Sequence, residues 1–159
     1  MSKRVKVLVG VGVVLVALAG VATYYFAPWT LFTNTTVNAA APVDGKVLLR
    51  GSFVSQAHTA TGTASIVELP SGDRVLRLEN LSTDNGPDVK VWLSDRAVDP
   101  EKSTGFDQGV YVSLGDLQGN RGNQNYPIPK STDIAKFRSV SLWCERFSVS
   151  FGAAPLQPA

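Results

Sequence analysis

The sequence predicts an all-β domain, an antiparallel β-sandwich or flattened barrel of seven or more short strands, preceded by one N-terminal transmembrane helix. Three observations predict it. Val7 to Ala27 is a 21-residue run without a charged side chain. Beyond it, the chain from Val43 onward breaks into short β-rich runs punctuated by Gly, Pro, Asn and Asp. Several of these runs alternate apolar and polar residues with period two, as strands with one buried face do.

The elements follow in chain order. Residues 1–6 carry Lys3, Arg4 and Lys6 and form a basic flank. About 20 apolar residues cross a bilayer as a helix, so residues 7–27 are long enough to span and to contact membrane lipid. No Lys or Arg follows until Lys46. Positive charge is retained on the cytoplasmic side, so the rest of the chain is expected outside the cell membrane as a single-pass protein. Tyr24, Tyr25, Phe26 and Trp29 suit the aromatic belt at the outer interface. The rival is a signal peptide cleaved near Ala17-Leu18-Ala19, which would release a secreted domain. The apolar run continues well past that site, which favours a retained anchor. No Cys lies near the span, which excludes a lipoprotein anchor.

Residues 28–42 read as a spacer, residues 43–156 as the β domain and residues 157–159 as a tail. Within the domain, strands are expected at Val47–Val54, Thr63–Leu69, Val75–Asn80, Val89–Ser94, Val110–Leu114, Val140–Cys144 and Phe147–Phe151. Val89, Val91 and Leu93 alternate with Lys90, Trp92 and Ser94. Only Thr132–Phe137 suggests helix, one or two turns of it. Asp84-Asn85-Gly86-Pro87-Asp88 is a turn, because Asn and Gly tolerate positive φ and Pro fixes the next one. The Gly- and Pro-containing stretch Leu114–Lys130 is expected to be mostly irregular.

Charge and composition remove several function classes. Three of the 15 basic residues lie in the flank, which leaves twelve against 13 acids in the rest, a net charge of about −1 with no basic stripe. Nucleic acid is therefore not an expected partner. One His and one Cys exclude the common zinc sites. There is no Cys-X-X-Cys pair, no Gly-X-Ser-X-Gly elbow and no phosphate-binding loop.

Two residues remain as chemistry. In SVSLWCERFSVSFG, Val140, Leu142 and Cys144 share one face of a strand, while Ser139, Ser141 and Trp143 share the other. The apolar phase slips between Cys144 and Phe147, which calls for a tight turn at Glu145-Arg146 or a bulge beside the thiol. An unpaired thiol in an oxidising compartment is buried, bridged to another chain, or bound to a cofactor, so Cys144 is an inert core thiol, half of an intermolecular disulfide, or a redox or ligating group. His58, among small polar residues, is either an exposed or hydrogen-bonded bystander or, as a neutral imidazole, a haem ligand, and the Cys144 thiolate is the other haem-ligand type present.

Four stretches together carry a resemblance: GSFVSQAHTATGTASIV, LRLENLSTDNGPDVKVWLSD, LGDLQGNRGNQNYPIP and DIAKFRSVSLWCERFSVSFGAAPL. In this order they resemble the DM-thirteen domain, which accompanies DOMON domains in Skeletor-like animal proteins and also occurs alone in bacteria. The most specific elements are His58 with Gly62, the turn holding Gly86, Pro87 and Asp88, and Trp143-Cys144 leading to Phe151-Gly152. The resemblance implies a β-sandwich and an electron-transfer role centred on one cysteine, as a bare thiol or a haem ligand. That position is Cys144 here, and His58 matches the family's histidine. Leu81 stands where the family commonly has an aromatic residue. With no DOMON domain in the sequence, a redox partner is expected to be a separate protein.

Two functional readings result. One is a membrane-anchored, extracytoplasmic redox module acting through Cys144. The other is a non-catalytic surface module that binds protein or glycan through the Leu114–Lys130 stretch and Tyr126, with a structural cysteine.

Overall fold

The computed structural model describes residues 2–26 and 33–159. Ala27, Trp29 and the first part of the expected spacer lie outside the described residues. Helix α1 covers Lys3–Phe26 and buries none of its side chains against the domain. At 1.5 Å per residue it is about 36 Å long, enough to cross a bilayer. By length and composition it is the one such helix among the described residues.

Eleven strands make two facing sheets, a sandwich and not a closed barrel. They are β1 (Thr36–Asn38), β2 (Lys46–Ser52), β3 (Val54–Ser55), β4 (Ala60–Glu68), β5 (Arg74–Thr83), β6 (Val89–Ser94), β7 (Tyr111–Asp116), β8 (Arg121–Ile128), β9 (Ser139–Cys144), β10 (Val149–Pro155) and β11 (Gln157–Pro158). One sheet has the order β1-β8-β5-β4-β2-β11 and the other β3-β10-β9-β6-β7. Every pairing is antiparallel except β1 with β8. The inner faces meet in one core that includes Ile66, Leu76, Leu78, Val91, Leu93, Val140, Leu142 and Cys144. Burial of these apolar faces is the main stabilising term of such a sandwich.

The alternation of Val89, Val91 and Leu93 places β6 where the sequence predicts it, at Val89–Ser94. The expected first strand is divided at Phe53 into β2 and β3. The expected helix is a single 3-10 turn at Ile134–Lys136, opened by the Asp133 side chain accepting from the Ala135 N–H.

The largest departure is Leu114–Lys130. It is not an irregular loop: β7 runs to Asp116 and β8 occupies Arg121–Ile128. Gln124, Tyr126 and Ile128 alternate into the core. Polar residues disguise this strand because they are satisfied internally. Gln124 donates to the Gly119 carbonyl at 2.6 Å and accepts from the Tyr126 hydroxyl at 2.6 Å. Asn120, 1% exposed, donates to the Thr83 carbonyl and to Asn34. Buried polar groups persist only when so paired.

Parts of the expected spacer and tail also join the sheet. Thr36–Asn38 forms β1 on β8, and Gln157–Pro158 forms β11 on β2. The guanidinium of Arg77, 5% exposed, donates to the carbonyls of Ala39 and Ala40 and clamps that segment down.

Candidate functional site

Cys144 ends β9, the central strand of its sheet, with Val89 of β6 on one side and Val149 of β10 on the other. All six residues of β9 are buried. One face enters the core between the sheets. The other is covered by the segment after β6, where Trp92, Trp143, Phe106 and Ala153 form a second cluster with Val98 against it.

The phase slip after Cys144 has two sources. Residues 145–148 make a turn in which Ser148 has φ +52°, and Phe147 points outward, 42% exposed. A bulge does occur, but on the returning strand: Ser150 pairs with Trp143 and Ala153 with Ser141, leaving Phe151 and Gly152 as the irregular pair. Gly152 allows it, because a Cβ there would stand 2.2 Å from the Ala60 Cβ.

The Cys144 thiol is 0% exposed. Burial is the strongest influence on it and raises its pKa; the Asp88 carboxylate adds to this. The backbone N–H groups of Phe147, Arg146 and Asp88 act in the opposite sense. The net result is a thiol held protonated. The same turn is tied to α1: the Arg146 guanidinium donates to the carbonyls of Tyr24 at 3.1 Å and Tyr25 at 2.5 Å, and the Phe147 ring stacks 6.0 Å from Phe26. A basic side chain on the last carbonyls of a helix also complements its dipole.

His58 lies between β3 and β4 with a half-buried ring. Its Nδ1 is 2.9 Å from Asp84 Oδ2, and its ring centroid is 3.8 Å from that of Phe151. Phe151 organises the motif residues. Gly86 has no space for a side chain, since a Cβ would meet Phe151 Cζ at 2.7 Å and Val89 Cγ2 at 2.8 Å. Gly62, at φ +112°, packs against the carbonyls of Glu79 and Asn80, opposite a bulge in β5. Pro87 and Asp88 follow Gly86, and Lys90 Nζ lies 3.0 Å from Asp88 Oδ1 and also meets Asp116. These two carboxylates raise the Lys90 pKa.

The structure thus gathers His58, Gly86, Phe151 and Gly152 into one cluster, and Cys144 and Asp88 at the adjoining strand end. No hydrogen bond joins His58 to Cys144. These residues do not fit a haem. The sulfur is sealed, and the imidazole faces Phe151 and Asp84. The nearest depression, about 250 Å³, is lined by residues 85–90, Asp116 and Leu117 and by neither candidate ligand; ligand sites generally start at about 300 Å³. Among the described residues no group of three His, Cys, Asp or Glu is placed to hold a metal ion.

Sequence reasoning missed Asp84 as the partner of His58 and the role of Trp143 in a second cluster. The second had a signal. Trp92 and Trp143 are large aromatics on strand faces that are otherwise polar, which calls for a covering layer. Tyr126, expected as a surface contact, is 2% exposed and hydrogen-bonded inside the fold.

Comparison with known proteins supplies the family. The family model described as Electron transfer DM13 matches residues 52–156, and the chain belongs to that family. No curated protein and no solved structure matches it.

Proposed function

We propose that this DM13 protein is a membrane-anchored, extracytoplasmic electron-transfer module whose redox group is the Cys144 thiol, working with a separate protein as partner. The basic flank and the apolar α1 support the anchor, with the N-terminus cytoplasmic. The observation that carries the redox reading is the single cysteine of an electron-transfer family, sealed at the end of the central strand of its sheet.

Burial decides the kind of chemistry. A thiol that nothing can touch does not exchange disulfides in the folded state, because exchange requires direct attack by a thiolate on sulfur. Transfer of one electron needs no contact. Cys144 loses one electron to an oxidised one-electron carrier and one proton to solvent. The S–H bond breaks, a thiyl radical remains, and the carrier is reduced by one electron. Sealing excludes thiols and oxygen species that would consume the radical.

One-electron photo-oxidation of the full chain in lipid nanodiscs, freeze-quenched for electron paramagnetic resonance, tests this. The reading predicts a sulfur-centred radical that is lost in Cys144→Ser with the fold retained. The zero exposure of Cys144 favours a second reading, a surface module with a structural cysteine. That reading predicts no sulfur-centred radical and partner binding unchanged by Cys144→Ser.

A further inference from the structure

We infer that Tyr111, Trp92 and Trp143 form an electron relay from the edge of β7 to Cys144, and that the exposed Val110–Tyr111 patch is the port over which a one-electron carrier protein docks. This rests on the redox reading of Cys144.

Three observations carry it. Tyr111 is 43% exposed and lies flat on Trp92, with ring centroids 3.9 Å apart and planes 8° from parallel. Trp92, 3% exposed, stacks in turn on Trp143 at 5.1 Å and 24°. Trp143, 2% exposed, directly precedes Cys144 on β9. Tyr, Trp and Cys are the side chains that give up an electron most readily, apart from Met, and here they run from surface to thiol. Tunnelling decays exponentially with distance, so this series replaces one long step with short ones.

The second observation is the Trp92 indole N–H, which is buried and has no hydrogen-bond partner. A buried donor left unpaired is rare. Its consequence here is specific: an oxidised Trp92 has no acceptor for its proton, so the charge stays mobile and is not trapped as a neutral radical. The third is the location of the open end. Strand β7 is at the sheet edge, and Val110, next to Tyr111, is 58% exposed. A small apolar patch suits the small, weak encounters of electron-transfer proteins.

Each step balances. The oxidised carrier takes one electron from Tyr111, whose phenolic proton passes to water. Tyr111 recovers an electron from Trp92 and a proton from water. Trp92 is refilled by Trp143 and Trp143 by Cys144. The sum is one electron on the carrier, one thiyl radical and one proton released past Asp88, which lines the polar surface depression.

The test uses the full chain in nanodiscs with photogenerated ruthenium(III) tris-bipyridine as the soluble oxidant. Radicals are followed by transient absorption and freeze-quench electron paramagnetic resonance, with the sulfur-centred signal assigned by its loss in Cys144→Ser. In the wild type the oxidation reaches Cys144. Trp92→Phe lowers that yield by an order of magnitude or more and leaves a tyrosyl radical at Tyr111, while Trp92→Tyr, which keeps an oxidisable ring, restores much of it. A merely structural role would not separate Phe from Tyr. An unchanged Cys144 yield in Trp92→Phe overturns the relay, as does a wild-type radical confined to Tyr111. A tryptophan radical that builds up without a Cys144 radical overturns the redox role of Cys144 and the last step of the relay, and leaves only the Tyr111–Trp92–Trp143 steps.

Discussion

Trp143 and Cys144 are consecutive residues of one strand, and both are buried, yet they belong to different parts of the molecule. Cys144 points into the core shared by the two sheets, whose periodicity is written along strands such as β6 and β9. Trp143 points the other way, into a small cluster roofed by the irregular segment that follows β6. The difference is one of load. The indole is a large apolar group whose packing holds down the second layer. The thiol is small, fills little space, and ends its strand beside the turn that joins β9 to β10.

The largest effect expected from this contrast is on the tryptophan side. Trp143→Ala removes a buried aromatic from Trp92 and Phe106 and is expected to destabilise the domain by about 3–5 kcal/mol, read by urea denaturation. A loss below about 1 kcal/mol would mean that the second layer is not a packed core.

Alkaline pH sharpens the contrast next. Burial raises the Tyr126 pKa to about 12, and burial raises that of Cys144 as well. In both cases the native state holds its proton more tightly than the unfolded state, so the unfolded state binds fewer protons as pH rises. The Tyr126 contribution is complete below pH ~10, where unfolded tyrosine titrates, and is lost as pH climbs toward 12, while that of Cys144 starts to be lost earlier, from about pH 8.5, where an unfolded thiol titrates. Denaturation midpoints should therefore fall across that window, and Tyr126→Phe should flatten the fall. An unchanged slope in this variant would remove Tyr126 from the account.

Cys144→Ser nearly conserves volume and should give a smaller stability change than Trp143→Ala, about 1–3 kcal/mol, the cost of burying a hydroxyl where the sulfur stood. A loss comparable to that of Trp143→Ala would make Cys144 a packing residue first.

The sequence makes the inner face legible and the outer one obscure. Period two in Val89–Ser94 and Ser139–Cys144 locates β6 and β9 and the buried side of Cys144, because a one-residue change of register would turn every side chain over. The strand β8 is hidden because Asn120 and Gln124 occupy buried positions that patterning reserves for apolar residues. Their compensation lies in hydrogen bonds to Asn34, Thr83, Gly119 and Tyr126, which no local window reveals. For the site, His58 and Cys144 were readable as residue types. The pairing of His58 with Asp84, 26 residues away, was not, and neither was the Tyr111–Trp92–Trp143 stack, which needs three strands in register.

The central claim is that Cys144 works from inside a closed site, and the most direct test is its alkylation rate in the native full chain as a function of pH. The account predicts reaction only through opening of the fold, at a rate that follows unfolding and rises with denaturant. Rapid alkylation of the folded protein, with an apparent pKa below the ordinary thiol value of about 8.5, would contradict it and show an open thiolate that acts by contact.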